Sequence, residues 1–254
     1  MKVVRTIAEL RLDGEIGLVP TMGALHAGHV TLFEAARAEN DVVVASLFVN
    51  PAQFDRQADL ARYPRDETRD LEAAERAGVD VLFAPSADEM YPDGFDTWVE
   101  PGDTGAEGDA RPGHFRGVAT VCLKLFNVVR PARAYFGQKD AQQVVVVRRM
   151  VRDLDLGVDI RVLPTVRDAD GLALSSRNVL LSPAERERAL GLPRALEGAV
   201  GTADPVTAAR AARNGLEPDY VEVLDLGDAK VLAAAVRVGS TRLIDNVVLE
   251  GEIR

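Results

Sequence analysis

The sequence predicts an α/β fold: a Rossmann-like parallel sheet with helices on both faces, followed by a smaller C-terminal α+β domain. Short apolar runs rich in Val and Phe alternate with segments of helical period, the pattern of βαβ units around a buried parallel sheet. That alternation stops after Leu163, where strands and helices no longer take turns. With 254 residues, 47% of them hydrophobic, the chain can bury one large core or two unequal ones.

Strands are expected at residues 17–20, 42–49, 79–84, 132–136 and 158–163, with helices at 30–39, 66–77, 118–129 and 141–154. In the third helix Val118, Val121, Cys122, Leu125 and Val129 form one apolar stripe at helical spacing. Two segments interrupt the pattern. Residues 50–64, with Pro51, Phe54 and several charges, predict a long loop leaving the C-terminal end of a strand, where open α/β sheets place their ligands. Residues 101–117 hold five glycines and Pro112, which predicts a mobile flap or connector and no regular element. Farther on, helices are expected at 183–196 and 205–213 and strands at 220–226, 236–238 and 243–249. The domains expected are 1–164 and 165–254, with 165–170 as the hinge.

A formal charge of −10 argues against nucleic-acid binding, which needs many Lys and Arg on phosphates, so an anionic ligand must meet a local basic cluster. The single cysteine, Cys122, excludes an intramolecular disulfide and a Cys-based zinc site; it reads as buried filler in a reducing compartment. No signal-peptide pattern or membrane-spanning run is seen, and the expected location is the cytoplasm.

Four segments carry chemistry. Residues 19–29 pass from the first strand into a helix through Gly23 and Gly28, which permit tight turns and close approach of a ligand to free N–H groups. His26 and His29, three apart, can both donate hydrogen bonds to a phosphate there; the alternative is two surface histidines in a glycine turn. No partner pattern for zinc accompanies them, and no P-loop is present. Next, Phe136-Gly137-Gln138-Lys139-Asp140 ends the fourth strand and aims Lys139 toward the same crevice, with Gln143 on the same helical face; an exposed surface lysine is the alternative. Asp170 to Asn178 then offers Ser175, Ser176 and Arg177 as phosphate donors on a segment able to move with the second domain. Finally Arg111, His114 and Arg116 lie in the glycine-rich stretch, as an anion-gripping flap or a solvated loop.

Together these segments resemble the pantothenate synthetases, the pantoate–β-alanine ligases of the HxGH nucleotidyltransferase superfamily. Matching motifs run from Val19 to Phe54, through Tyr63-Pro64-Arg65, Ala84-Pro85 and Met90-Tyr91-Pro92, from Arg111 to Asn178, and on to Arg242-Leu243-Ile244-Asp245-Asn246. The resemblance implies that pantoate and ATP give pantoyl adenylate and pyrophosphate, and that the amine of β-alanine then displaces AMP to form pantothenate. It implies catalytic roles for His26, His29, Lys139 and Arg177. For ATP it implies Pro20, Thr21, Met22, Gly23, Gly28, Gly137, Asp140, Val166, Leu174, Ser175 and Ser176 beside those four. For pantoate it implies Gln53 and Gln143 as hydrogen-bonding groups, with Asn50 and the apolar walls Met22, Phe48, Val118 and Val121. Arg111 and His114 would belong to the flap. Mg²⁺ is expected on the triphosphate and not in a dedicated protein metal site, with Asp70 a candidate ligand, and a homodimer is implied.

A small apolar slot with amides at its ends suits pantoate's geminal dimethyl carbon between hydroxyl and carboxylate. The carboxylate is already ionised, so alignment and charge stabilisation suffice for adenylation. The chain departs from the family pattern at Gln138, where Glu is usual, at Ala141, where an aromatic residue is common, and in shorter regions before Gly17 and at the C-terminus. Two other readings are a cytidylyl- or adenylyltransferase of the same superfamily, which needs a basic acceptor pocket, and a nonenzymatic ATP-binding module.

Overall fold

The computed structural model describes residues 1–102, 104–213 and 215–253. Its first layer system runs β1 (Lys2–Val4), β2 (Ile16–Thr21), α1 (Ala27–Glu39), β3 (Val42–Leu47), α2 (Gln57–Arg62), α3 (Glu67–Arg76), β4 (Val81–Phe83), α4 (Ala87–Met90), α5 (Ala106–Ala110), α6 (His114–Val129), β5 (Arg133–Gly137), α7 (Ala141–Asp153) and β6 (Asp159–Leu163). The six strands are parallel, in the order β1-β4-β3-β2-β5-β6. Side chains alternate across the sheet, so neighbours on one strand enter different cores. Leu18, Val44, Phe83 and Phe136 pack with the apolar stripes of α6 and α7. Val19, Val43, Leu82 and Tyr135 pack with Phe33 and Ala36 of α1 and Ala74 of α3. Helices therefore cover both faces, as the sequence predicts.

Chain order places the site. From β2 the chain steps outward to β3 and β4, then returns to the other side of β2 with β5, so β2 and β5 flank the point where the winding reverses. Ligands of open α/β sheets bind outside the strand C-termini there. The residues following Thr21 and those following Phe136 are brought side by side.

The C-terminal part comprises α8 (Pro183–Ala189), α9 (Gly191–Ala199), α10 (Pro205–Ala212) and an antiparallel sheet, β7 (Glu217–Asp225), β8 (Ala229–Val238) and β9 (Thr241–Gly251), in that order. Leu192, Leu196 and Ala209 pack against Val221, Leu232, Val236 and Leu243 in a core of their own.

Several expectations need correction. β1 is unpredicted, a three-residue strand held on the sheet edge by β4. Residues 50–64 are not one loop: Pro51–Gln53 form a 3-10 turn and α2 follows. The glycine-rich stretch is not an irregular flap, because α5 lies within it and α6 begins at His114, ahead of the expected start at Val118. Gly113 takes φ +80° just before α6, and inside the helix Gly117 allows a close backbone contact, since an added Cβ would lie 2.3 Å from the Ala52 carbonyl oxygen. Asp103 of that stretch lies outside the described residues. The expected helix 183–196 is two helices meeting at Leu190, because Pro193 has no N–H to continue the ladder of α8. β8 is longer than 236–238, extending back through Ala233, Ala234 and Ala235, which are buried between two strands despite their weak strand preference. Among the described residues no helix is long and apolar enough to cross a membrane.

Candidate active site at the sheet switch point

β2 ends in a turn that leaves the common backbone regions: Gly23 has φ +80° and Ala24 φ +50°. Asp70 of α3 holds that turn, accepting from Ala24 N at 2.9 Å and Leu25 N at 2.7 Å, and the residue is only 2% exposed. Both oxygens of Asp70 thus accept backbone N–H groups, which makes it a clamp for the turn. A Cβ on Gly23 would meet Leu47 and Asp70, which explains the glycine; Gly23 itself lines neither of the cavities described below. Thr21 is likewise structural, since its hydroxyl donates to Ser46 O at 2.6 Å and accepts from Gly23 N.

The turn delivers His26 to the N-terminus of α1, with His29 one turn later and the two rings 4.1 Å apart. His29 Nδ1 accepts from the His26 backbone N–H at 3.2 Å, which puts the His29 proton on Nε2. Burial, the proximity of His26 and the charge of Lys139 push His29 down to about 3. Burial, then Lys139, push His26 down to about 4. Both are neutral donors near pH 7. His26 Nδ1 is buried with no hydrogen-bond partner among the described residues. A Cβ on Gly28 would press on the His26 ring at 3.0 Å, so the glycine makes room for it.

Around these histidines is a cavity of about 210 Å³. Its lining includes Pro20, Thr21, Met22, His26, Gly28, His29, Phe48, Asn50, Gln53, Val118, Val121, Gly137, Lys139, Asp140, Gln143, Val166, Leu174, Ser175, Ser176 and Arg177. The structure thus brings together every residue expected to hold nucleotide or acid except Gly23. A second cavity of about 440 Å³ continues from it, sharing Met22, Gln53, Tyr63, Lys139, Asp140, Gln143, Ser175 and Arg177, and opens toward Arg242 and Asp245 of β9.

Polar groups in the smaller cavity fall into two sets. Some are satisfied by the protein. Asn50 donates to Gln53 Oε1 and Gly117 O and accepts from Tyr91 and Ala52 N, so its amide holds the 50–53 turn instead of facing the cavity with free valences. Others are poised: Lys139 Nζ and the Arg177 guanidinium pair with no carboxylate among the described residues, and Gln143 has no hydrogen-bond partner there. The Gln53 amide nitrogen has only the Met22 sulfur, at 3.0 Å, a weak acceptor. Burial and the charge of Arg111 loosen the proton of Arg177. Two partly buried cations without carboxylates, among the described residues, call for an anion between them.

Arg111 and His114 are braces, not a flap. His114 Nδ1 donates to Gln53 O at 2.8 Å, and Arg111 donates to the same carbonyl at 3.1 Å and to His114 Nε2 at 3.2 Å. Burial, then Arg111, hold His114 down to about 4. Glu107, 5% exposed, ties Arg111 to Arg242 of β9, which it grips through two 2.7 Å bonds. Arg111 and His114, so anchored, fix the backbone of Gln53.

Sequence reasoning missed the Tyr63 phenol, which accepts from Ser176 Oγ at 3.2 Å, and Thr165, whose buried hydroxyl has no partner among the described residues and lines the smaller cavity. Tyr63 stood in a quoted motif, but only the fold brings it to Ser176. Thr165 carried no signal beyond its place beside Val166.

The chain is similar to proteins of one family over nearly its whole length. The family profile described as pantoate-β-alanine ligase matches residues 1–248. A pantothenate synthetase of Roseiflexus castenholzii is 52% identical over 98% of this chain and 100% of its own length. That alignment runs to 277 positions against 254 residues here, so the relative carries residues this chain lacks. Among solved structures, a pantothenate synthetase from Thermus thermophilus superposes with a TM-score of 0.93 at 46% identity, covering 98% of this chain and 99% of that one. A pantoate-β-alanine ligase from Francisella tularensis, solved in complex with β-γ ATP and β-alanine, gives 0.87 at 36% identity over 99% of both chains. With the profile match spanning nearly the whole sequence, the chain belongs to the pantoate-β-alanine ligase family.

Proposed function

We propose that this enzyme condenses (R)-pantoate with β-alanine at the switch-point cavity, using ATP and passing through pantoyl adenylate. The observation that carries the reading is the division of the cavity. Its donors, His26, His29, Lys139, Ser175, Ser176 and Arg177, accompany apolar walls from Phe48, Val118 and Val121 and the amides of Gln53 and Gln143. A triphosphate fits the first set and a small branched carboxylic acid the rest. A phosphorylated acceptor would want cations where this cavity offers Val and neutral amides, which disfavours a nucleotidyl transfer to such an acceptor. Two glutamines leave the pantoate carboxylate free to attack, since a neutral amide does not repel it.

In the first step a carboxylate oxygen attacks the α-phosphorus and the bond to the oxygen bridging to the β-phosphorus breaks, releasing pyrophosphate. Charge grows on the phosphoryl oxygens, where neutral imidazole N–H groups and Lys139 strengthen their bonds. In the second the β-alanine nitrogen, as free amine, attacks the acyl carbon, the acyl C–O bond to the phosphate breaks so that AMP departs, and the nitrogen gives up one proton to solvent. No enzyme base is required for the first step because the nucleophile is already ionised. Mg²⁺ enters on the triphosphate; among the described residues no three His, Cys, Asp or Glu side chains converge to hold a metal of their own. We assign residues 1–164 to the nucleotide- and acid-binding domain and 165–254 to a smaller lid, and place the enzyme in the cytoplasm as a homodimer, as family membership implies.

The test is direct: purified protein given pantoate, ATP and Mg²⁺ forms pantothenate and turns over AMP only when β-alanine is added. Folded protein that yields no pantothenate overturns the reading. Light scattering of the purified protein tests the dimer.

A further inference from the structure

The proposed phosphate grip is assembled from two distant segments, the 138–140 turn after β5 and residues 175–177, and one corner of β9 touches the supports of both. Asn246 is 2% exposed and uses its whole amide on the first: Nδ2 donates to Gln138 O at 2.9 Å and Lys139 O at 3.0 Å, while Oδ1 accepts from Gln138 Nε2 at 3.1 Å. Its neighbour Asp245, equally buried, accepts the Asn246 backbone N–H at 2.8 Å and binds Arg167 through both oxygens, at 2.6 and 3.2 Å. Arg167 bridges to Ala173 in a small hairpin, closed also by Leu174 N to Val166 O, and Asn178 ties back to Ala173 O. Ser175 and Arg177 leave directly from that hairpin. None of Asp245, Asn246 or Arg167 needs to touch a phosphate to matter.

Resting on the reading above, we propose that Asp245 and Asn246 are positioning residues that fix the separation of Lys139 from Arg177, so that both reach one polyphosphate. Asn is required at 246 because two backbone carbonyls demand two N–H donors from one side chain. An Asp there would face the same carbonyls with a charge. The arrangement also accounts for Gln138: its amide donates to Asn246 Oδ1, a bond that the usual Glu cannot make in ionised form.

A double-mutant cycle tests the proposal with the full-length enzyme. Asn246→Ala lowers kcat/KM for ATP by about tenfold, the scale of coupling within one hydrogen-bond network, and leaves KM for pantoate within about twofold. In a Lys139→Ala background the same substitution has little further effect. Asp245→Asn behaves likewise against Arg177→Ala. Wild-type catalytic efficiency in Asn246→Ala, or losses that simply add in both cycles, overturns the proposal. Should Asn246→Ala fail to fold, Asn246→Asp of similar volume replaces it; failure of both to fold also overturns it, because the corner then serves stability alone. Wild-type enzyme that forms no pantothenate refutes the proposed function instead, so the two failures are separable.

Discussion

At the scale of single residues, the decisive fact is that His29 has one nitrogen committed and one free. Nδ1 accepts from the His26 backbone, so Nε2–H is the donor left for a ligand. A glutamine amide can reach the place of Nε2, whereas an asparagine amide reaches only the place of Nδ1. His29→Gln is therefore expected to keep more turnover than His29→Asn, which should fall with His29→Ala by at least about tenfold, the scale of a lost transition-state donor. Steady-state rates of pantothenate formation check this, and an Asn variant as active as wild type would remove the role. Burial first, and the nearby charge of Lys139, hold His26 at about 4 and His29 at about 3. Nitrogen NMR of the free enzyme at about pH 6, close to the ordinary histidine value, should accordingly show both imidazoles neutral; a protonated signature for either contradicts the assigned environment. Much of this was legible in the sequence, because strand, glycine turn and paired histidines occupy one short run, Val19 to His29, and their chemistry is local. The commitments of Asn50, Thr21, Asp70 and His114 to backbone were not, since each depends on a segment distant in sequence.

At the scale of elements, α6 and the 50–53 turn approach so closely that only glycine fits at position 117. An added methyl would lie 2.3 Å from Ala52 O and 2.6 Å from Gln53 N, both backbone atoms unable to rotate away. Gly117→Ala should cost about 1–3 kcal/mol by overpacking and raise KM for pantoate more than KM for ATP, because Gln53 and Val118 sit on the two sides of the displaced contact. Denaturant titration and separate KM measurements test it; an unchanged pantoate KM would mean that the cavity does not depend on this packing. Across the crevice, Glu107 of α5 and Arg242 of β9 form a bidentate buried pair. Burial alone would raise the Glu107 carboxyl, but the bonds and charge of Arg242 outweigh it and hold it below the usual range. Arg242 is partly buried and keeps Asp219 at 2.6 Å when Glu107 is removed, so the cost is that of the lost charge-assisted bonds, about 1.5–3 kcal/mol, and Glu107→Ala should lower the unfolding midpoint; a midpoint within experimental error of wild type would show the pair to be dispensable. Periodicity read the long elements well. It failed at β1, too short to show alternation, at the alanines of β8, whose strand state is imposed by neighbours, and across 101–117, where glycines that suggest looseness instead permit close contact.

At the scale of the whole molecule, all three histidines are held neutral by the fold, His114 by burial and Arg111 at about 4 beside the other two. Unfolded, each would take a proton near the ordinary value of about 6.5. Above that pH both states are neutral at these positions and histidine contributes no pH dependence. As the pH falls from about 6.5 toward 4, the unfolded chain binds protons that the native state refuses, so stability drops with a slope set by that difference. Carboxylates such as Glu107, held low in the fold, begin to add their own loss as the pH enters the ordinary carboxylate range, whereas Asp245, raised by burial, takes its proton earlier in the native state and opposes the decline. From about 6.5 down to about 5 the three depressed histidines all act to lower stability as the pH falls. Thermal melts of the unliganded protein through this window should show a midpoint that declines steadily. The triple substitution His26→Gln, His29→Gln and His114→Gln should flatten that decline, even though its midpoint at neutral pH is lower from lost packing and hydrogen bonds. Mg·ATP, binding only the native state, should raise the wild-type midpoint by mass action. A wild-type midpoint that is flat across the window would mean that the folded protein admits those protons, and with them the neutral histidines on which the proposed phosphate site depends would be lost.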